Sequence, residues 1–181
     1  KNADEIIPPA SMTKLVVMYT IFKEIQKGKI SLKDIVPLPP ESWAINAPPQ
    51  SSLMYLSKGD IVTLEQLMLG MSVMSGNDAA VACACYVAGT VENFIKIMNQ
   101  HMADIGLTNT KFVDSSGYSE LNQTTAREFV QFIRIYLNTF PEALTKFHNK
   151  THMTFKGTTF TSTNKVLGKV EGIDGIKTGF I

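Results

Sequence analysis

Residues 8–22, P-P-A-S-M-T-K-L-V-V-M-Y-T-I-F, place a serine and a lysine at the head of an apolar run. Pro8 and Pro9 disfavour a helix before them, and Gly28 ends one after them. The helix predicted over 11–27 carries Leu15, Val16, Val17, Met18, Ile21, Phe22 and Ile25 around nearly its whole circumference. Such a helix belongs in the middle of a protein. At i and i+3, Ser11 Oγ and Lys14 Nζ share a face at its mouth. A serine hydroxyl is a weak nucleophile until a base takes its proton. A lysine can be that base only if burial or nearby positive charge lowers its pKa. Bringing it from about 10.4 to near 7 takes roughly 4–5 kcal/mol of differential destabilisation of the ammonium.

Taken alone, S-x-x-K also reads as a helix cap with a lysine reaching for solvent. It occurs a second time as Ser162-Thr163-Asn164-Lys165, in a Thr-rich β-type stretch where i and i+3 do not share a face.

Outward from this helix, residues 37–52 carry five of the eight prolines and read as an irregular surface excursion. Residues 63–74 read as a helix, with Thr63 and Gln66 as a capping box. It breaks at Ser75-Gly76-Asn77. Asp78 is expected to cap a small-residue helix to about Val87, and a further helix spans 91–104. Thr125-Ala126-Arg127-Glu128 is a second capping box opening a helix to about Asn138, and Pro141 suits the first turn of another. From Thr151 the pattern changes to two short β-type runs around Lys156-Gly157. The chain closes on a strand-like G-I-D-G-I-K-T-G-F-I. A helical middle followed by a β end argues for α+β.

Composition excludes several classes. The 181 residues are 44% hydrophobic and 18% charged, which is ordinary globular usage and predicts one sizeable core. A net charge of +1 with no basic block argues against nucleic acid or an anionic membrane as partner. No apolar run reaches about 18 residues, and the opening K-N-A-D-E lacks the pattern of a signal peptide. Membrane contact from this segment is not expected, and any targeting segment is expected outside it. Cys83 and Cys85 point apart on a helix and are expected to be two buried free thiols, with no further cysteine to complete a metal set. His148 and His152 read as surface histidines and His101 as helix surface, so neither a metal site nor a Ser-His-Asp triad is predicted.

Ser11 keeps telling company. Ser75-Gly76-Asn77 projects a hydroxyl and an amide from a break between two apolar helices. Lys177-Thr178-Gly179 sits on the terminal strand-like stretch, where a small glycine would let a substrate backbone pair along the edge. S-x-x-K, then S-x-N, then K-T-G, in that order, is the signature set of penicillin-recognising serine enzymes. With A-S-M-T-K-L, M-S-G-N-D-A-A, F-V-D-S-S-G-Y, T-T-A-R-E and D-G-I-K-T-G-F, nearly the whole chain resembles the serine D-alanyl-D-alanine carboxypeptidases, the low-molecular-mass penicillin-binding proteins.

The resemblance implies a β-lactamase/transpeptidase-like α+β fold, a helical subdomain packed on an antiparallel sheet. Residues 1–181 would be a single catalytic domain, with the helical subdomain at about 30–150. Strands known to the family before S-x-x-K and after K-T-G are missing, so the sheet is expected to be incomplete and the chain a trimmed portion. In role, Ser11 would attack the carbonyl between two terminal D-alanines and Lys14 would take its proton. Ser75 would relay a proton to the leaving amine, and Asn77 would hold the substrate amide or Lys14. Lys177 would supply positive potential and orient Ser75, Thr178 would contact the terminal carboxylate, and the N–H groups of Ser11 and Phe180, beside Gly179, would form the oxyanion hole.

Some relatives carry an arginine upstream of K-T-G; Thr163 stands near that place. The implied partners are peptidoglycan stem peptides ending in D-Ala-D-Ala and β-lactam antibiotics, in the bacterial cell envelope, with no metal or cofactor. The alternatives are a class A-like β-lactamase and a non-catalytic peptidoglycan-binding module. The first needs a glutamate four residues before an asparagine. In the Glu120-Leu121-Asn122 stretch Tyr118 holds that position, so Glu120 is read as solvated surface. The intact motif serines and lysines argue against the second.

Overall fold

In the computed structural model, which describes residues 1–180, the apolar run forms a central helix α1, Thr13–Gln26, entered through a 3-10 turn at Ala10–Met12. Val16, Val17 and Ile21 have no solvent exposure, as expected for a helix apolar on all sides. The chain then wanders through two more 3-10 turns, Pro40–Ser42 and Ala44–Asn46. Helix α2, Leu64–Leu69, opens on the predicted capping box, with both Thr63 and Gln66 reaching back to backbone N–H groups. It passes into a π-helical turn, Gly70–Met74, that ends at Ser75 in the left-handed region, φ 61°.

Helices α3, Asn77–Ala88, and α4, Val91–Asp104, pack on α1. Helix α5, Ala126–Thr139, closes the other side. Its Phe132 and Tyr136 meet Tyr19 edge-on, and Phe22 stacks on Phe140 at 5.1 Å. Two small antiparallel sheets flank the helices. Strand β1, Ile6–Ile7, pairs with β2, Thr124–Thr125. Strands β3, His152–Phe155, and β4, Thr158–Thr161, form the predicted hairpin, with Lys156 and Gly157 at positive φ in its turn. The arrangement is α+β, and each sheet has two strands among the described residues.

Several expectations fail locally, each for a physical reason. Asp78 does not cap α3. It lies inside the first turn, and its carboxylate accepts from the Met54, Leu56 and Ala79 N–H groups, tying the preceding loop to the helix. The Thr125 box is half formed: Thr125 accepts from Glu128 N–H, but the Glu128 carboxylate is taken by Asn109 and Thr110.

His148 is buried, with Nε2 2.9 Å from the Tyr136 hydroxyl and Nδ1 3.3 Å from Ser72 Oγ. His101 is buried too, beside Thr20. Both sit where helices cross, which sequence spacing does not reveal. Both thiols are free, but only Cys83 is fully buried. Residues 173–180 join neither sheet. The expected terminal strand is instead an unpaired stretch laid on the protein, with Gly175 against Leu144 and His148. Ile181 lies outside the described residues.

Candidate active site

Ser11 lies in the 3-10 turn and Lys14 in the first turn of α1 that it leads into, so that residues i and i+3 come to share one face. Ser11 caps no helix; its Oγ lies 3.1 Å from Lys14 Nζ. Lys14 has no exposure at all, and its Nζ also donates to Asn77 Oδ1 at 2.7 Å and to the Ser116 carbonyl. Three oxygens therefore satisfy all three donors of a buried ammonium. Burial first, and then the charge of Lys177, lowers the Lys14 pKa to about 7, while Asp114 and Asp78 oppose the shift. Near neutral pH a large share of Lys14 is the free base, able to accept the Ser11 proton.

Ser75 and Asn77 are fixed from below. Asn77 N–H donates to the Ser52 carbonyl at 2.8 Å. At Gly76 a side chain would come within 2.9 Å of the Asp78 carboxylate and 3.1 Å of the Met54 nitrogen. Only glycine permits that turn, and the left-handed Ser75 beside it is the kind of held strain found at functional sites.

Ser11, Ser75, Asn77, Thr178, Gly179 and Phe180 line one cleft of about 800 Å³. Lys177 is half-buried at its edge, its pKa lowered to about 8 by desolvation, and its Nζ donates to the Thr178 carbonyl at 2.9 Å. Among the described residues no hydrogen bond joins Lys177 to Ser75. Gly179 serves packing and not strand pairing: a side chain there would meet the Pro9 carbonyl and the Ala10 methyl at 3.3 Å.

Three further residues, Asp114, Ser116 and Gly117, build the site; they lie in the F-V-D-S-S-G-Y stretch, to whose residues the sequence reading gave no role. Asp114 accepts from Ser116 N–H, Gly117 N–H and Ser119 N–H, each at 2.6 Å, and so folds the turn that aims the Ser116 carbonyl at Lys14. Gly117 lies directly under the turn that carries Ser11. A Cβ on it would sit 1.9 Å from the Ala10 carbonyl oxygen. The available signal was an aspartate followed by S-S-G, a turn pattern, but only the fold shows what the turn faces. The second S-x-x-K pairs Lys165 Nζ with the Ser162 carbonyl and not with its hydroxyl. Glu120 is exposed on the cleft rim. No group of three or more His, Cys, Asp or Glu side chains able to hold a metal occurs among the described residues.

The chain is 36% identical over 182 residues to D-alanyl-D-alanine carboxypeptidase DacC of Escherichia coli, an overlap of 98% of this chain and 45% of that protein. The chain thus spans about half the length of the curated relatives it matches. The crystal structure of penicillin binding protein 6B from Escherichia coli superposes over 100% of this chain and 58% of its own, with a TM-score of 0.94 at 32% identity. Penicillin-binding protein D2 from Listeria monocytogenes, in its cefotaxime-bound form, matches 100% of this chain and 72% of its own, with a TM-score of 0.86 at 27% identity. The family profile described as D-alanyl-D-alanine carboxypeptidase matches residues 1–181. With these likenesses over its whole length, the chain belongs to the D-alanyl-D-alanine carboxypeptidase family of serine peptidases, peptidase S11.

Proposed function

We propose that the chain carries the acyl-serine chemistry of a serine D-Ala-D-Ala carboxypeptidase that removes the terminal D-alanine from peptidoglycan pentapeptides. Lys14 takes the Ser11 proton as Oγ attacks the carbonyl between the two D-alanines. The amide bond breaks, a proton passes through Ser75 to the leaving amine, and D-alanine departs. Water then cleaves the ester and restores Ser11. Asn77 holds Lys14 and the substrate amide, Lys177 supplies positive potential, and Thr178 contacts the terminal carboxylate. The N–H groups of Ser11 and Phe180, beside Gly179, stabilise the oxyanion, and one such donor typically lowers the barrier by about 3–4 kcal/mol.

The observation that carries this reading is the wholly buried Lys14, held between Ser11 and Asn77 with a pKa near 7. The cefotaxime-bound relative supports β-lactams as acylating inhibitors. Peptidoglycan as substrate places the protein in the bacterial cell envelope. In this reading residues 1–181 form part of one catalytic domain, with residues 30–150 as its helical subdomain. The test is incubation of the protein and of Ser11→Ala with a fluorescent penicillin, followed by intact mass over hours. A lasting adduct on Ser11 alone is expected; rapid loss of the adduct favours the β-lactamase alternative, and no adduct sinks the enzyme reading.

A further inference from the structure

The chemistry proposed above makes no use of His148, yet this buried histidine stands between two of the stretches on which that chemistry depends. It ends a second π-helical turn, Leu144–His148, which packs on the π-helical turn Gly70–Met74 that delivers Ser75. Ser72 Oγ lies 3.0 Å from the Phe147 carbonyl, which can only accept, so the hydroxyl proton is committed there. Ser72 Oγ is therefore the acceptor for His148 Nδ1–H, 3.3 Å away. That leaves Nε2 without a proton and able to accept from the Tyr136 hydroxyl at 2.9 Å. The imidazole is neutral, and donation runs one way, from Tyr136 through His148 and Ser72 to the Phe147 carbonyl.

This chain of bonds ties the Ser75 turn to α5, because Tyr136 belongs to that helix and has no exposure. The next residue after Ser72 is held as well: the Val73 carbonyl accepts from Thr163 N–H at 3.0 Å. The turn that ends at Ser75, φ 61°, is thus gripped at two consecutive residues. On its other side the Leu144–His148 turn supports the K-T-G stretch. A Cβ on Gly175 would sit 3.3 Å from Leu144 Cδ1, 3.4 Å from His148 Cβ and 3.5 Å from the His148 carbonyl oxygen. Gly175 stands just before Ile176 and Lys177, and the Lys177 charge reaches the imidazole.

We propose that His148 is a positioning residue for the acylation of Ser11: by bridging Tyr136 and Ser72 it sets the Ser75 turn against the stretch that carries Lys177. The assignment rests on the carboxypeptidase reading above. His148 touches neither the nucleophile nor its base, so its contribution is to the placement of Ser75 and not to the proton transfers themselves.

Stopped-flow acylation by a fluorescent penicillin separates the dissociation constant of the first complex from the rate constant of acylation, and the final adduct counts the molecules able to react. The variants are His148→Phe, which keeps a ring and removes both hydrogen bonds, His148→Asn, which keeps an N–H near the Nδ1 place, and Ser72→Ala. A misplacement of about 1 Å costs on the order of 10²-fold, so the acylation rate constant is expected to fall about 10-fold to 100-fold in His148→Phe and in Ser72→Ala. The dissociation constant is expected to stay near its wild-type value, and asparagine is expected to restore most of the rate. Because both changes break one linkage, the double variant is expected to lose no more than either single one.

A merely structural role lowers the melting temperature and the amount of adduct but leaves the rate constant of the folded molecules unchanged. That result overturns the proposal, as do losses that multiply in the double variant. Ser72→Ala deletes only a hydroxyl and decides the matter should His148→Phe fail to fold. The two readings fail separately: absence of any wild-type adduct removes the carboxypeptidase reading, whereas a normal wild-type adduct with unchanged rate constants in the variants removes only the role of His148.

Discussion

On the α1 side of the cleft, Lys14 is completely buried and bonded to Ser11, Asn77 and the Ser116 carbonyl, each from a different stretch of chain. On the opposite side, Lys177 is half-buried and bonded to the carbonyl of the residue that follows it, while Thr178 is exposed and paired with Thr163. One cation is held by the core, and the other by its own neighbourhood. Burial, and then the Lys177 charge, lowers the Lys14 pKa to about 7, whereas desolvation lowers that of Lys177 only to about 8, so Lys177 keeps more of its charge at neutral pH.

The contrast breaks most sharply at Lys14. Lys14→Arg retains a cation that cannot give up its proton, so penicillin acylation is expected to fall on the order of 10³-fold. Lys177→Arg, which keeps the charge it supplies, is expected to cost much less in the same adduct assay. Comparable losses in both would erase the distinction between base and electrostatic support.

Next comes the histidine beneath the K-T-G side. Burial, and then the Lys177 charge, lowers the His148 pKa to about 4. The unfolded chain binds a proton there that the folded one refuses. Stability is therefore fully present above pH ~6.5 and is lost as the pH falls towards about 4, by roughly 3 kcal/mol. Urea unfolding across that range reads the slope, and His148→Gln should flatten it.

Gly117→Ala tests the α1 side by sterics. With its Cβ 1.9 Å from the Ala10 oxygen, the Ser11 turn must move. A loss of about 1–3 kcal/mol in stability is expected, together with slower acylation. Unchanged acylation would mean that the turn is not held where the geometry places it.

The pH profile sharpens the comparison on a finer scale. Acylation should rise to about pH 7 as Lys14 becomes the free base and fall above about pH 8 as Lys177 loses its charge. In Lys177→Gln the alkaline limb should vanish. The acid limb should move upward, because the positive charge that helps to depress Lys14 is gone. The smallest effect is expected for Glu120→Gln on the exposed rim, which should leave decay of the penicillin adduct unchanged; a slower decay would assign Glu120 the water-activating part of a β-lactamase.

The legibility of the molecule divides along the same line. Strong local chemistry read correctly: the all-round apolar run of α1, the Thr63–Gln66 box and the Lys156-Gly157 hairpin follow from contacts within a few residues. Asp78, Glu128, His101 and His148 misled because their partners lie far along the chain, and a buried polar group takes whichever donor the fold brings to it. The K-T-G stretch looked like a strand because its composition allows one; strand pairing, however, needs a neighbour, and among the described residues it has none.

The sequence by itself determined the α+β class, the central helix and the order of the S-x-x-K, S-x-N and K-T-G motifs. These rest on periodicity, capping and residue chemistry carried by adjacent positions. Only the tertiary structure decided that Lys14 is sealed from water under the Ser116 carbonyl, that Gly117 supports the Ser11 turn and that Thr163 reaches Thr178. Desolvation and close approach depend on what surrounds a group in space, and that is fixed only when distant segments pack together.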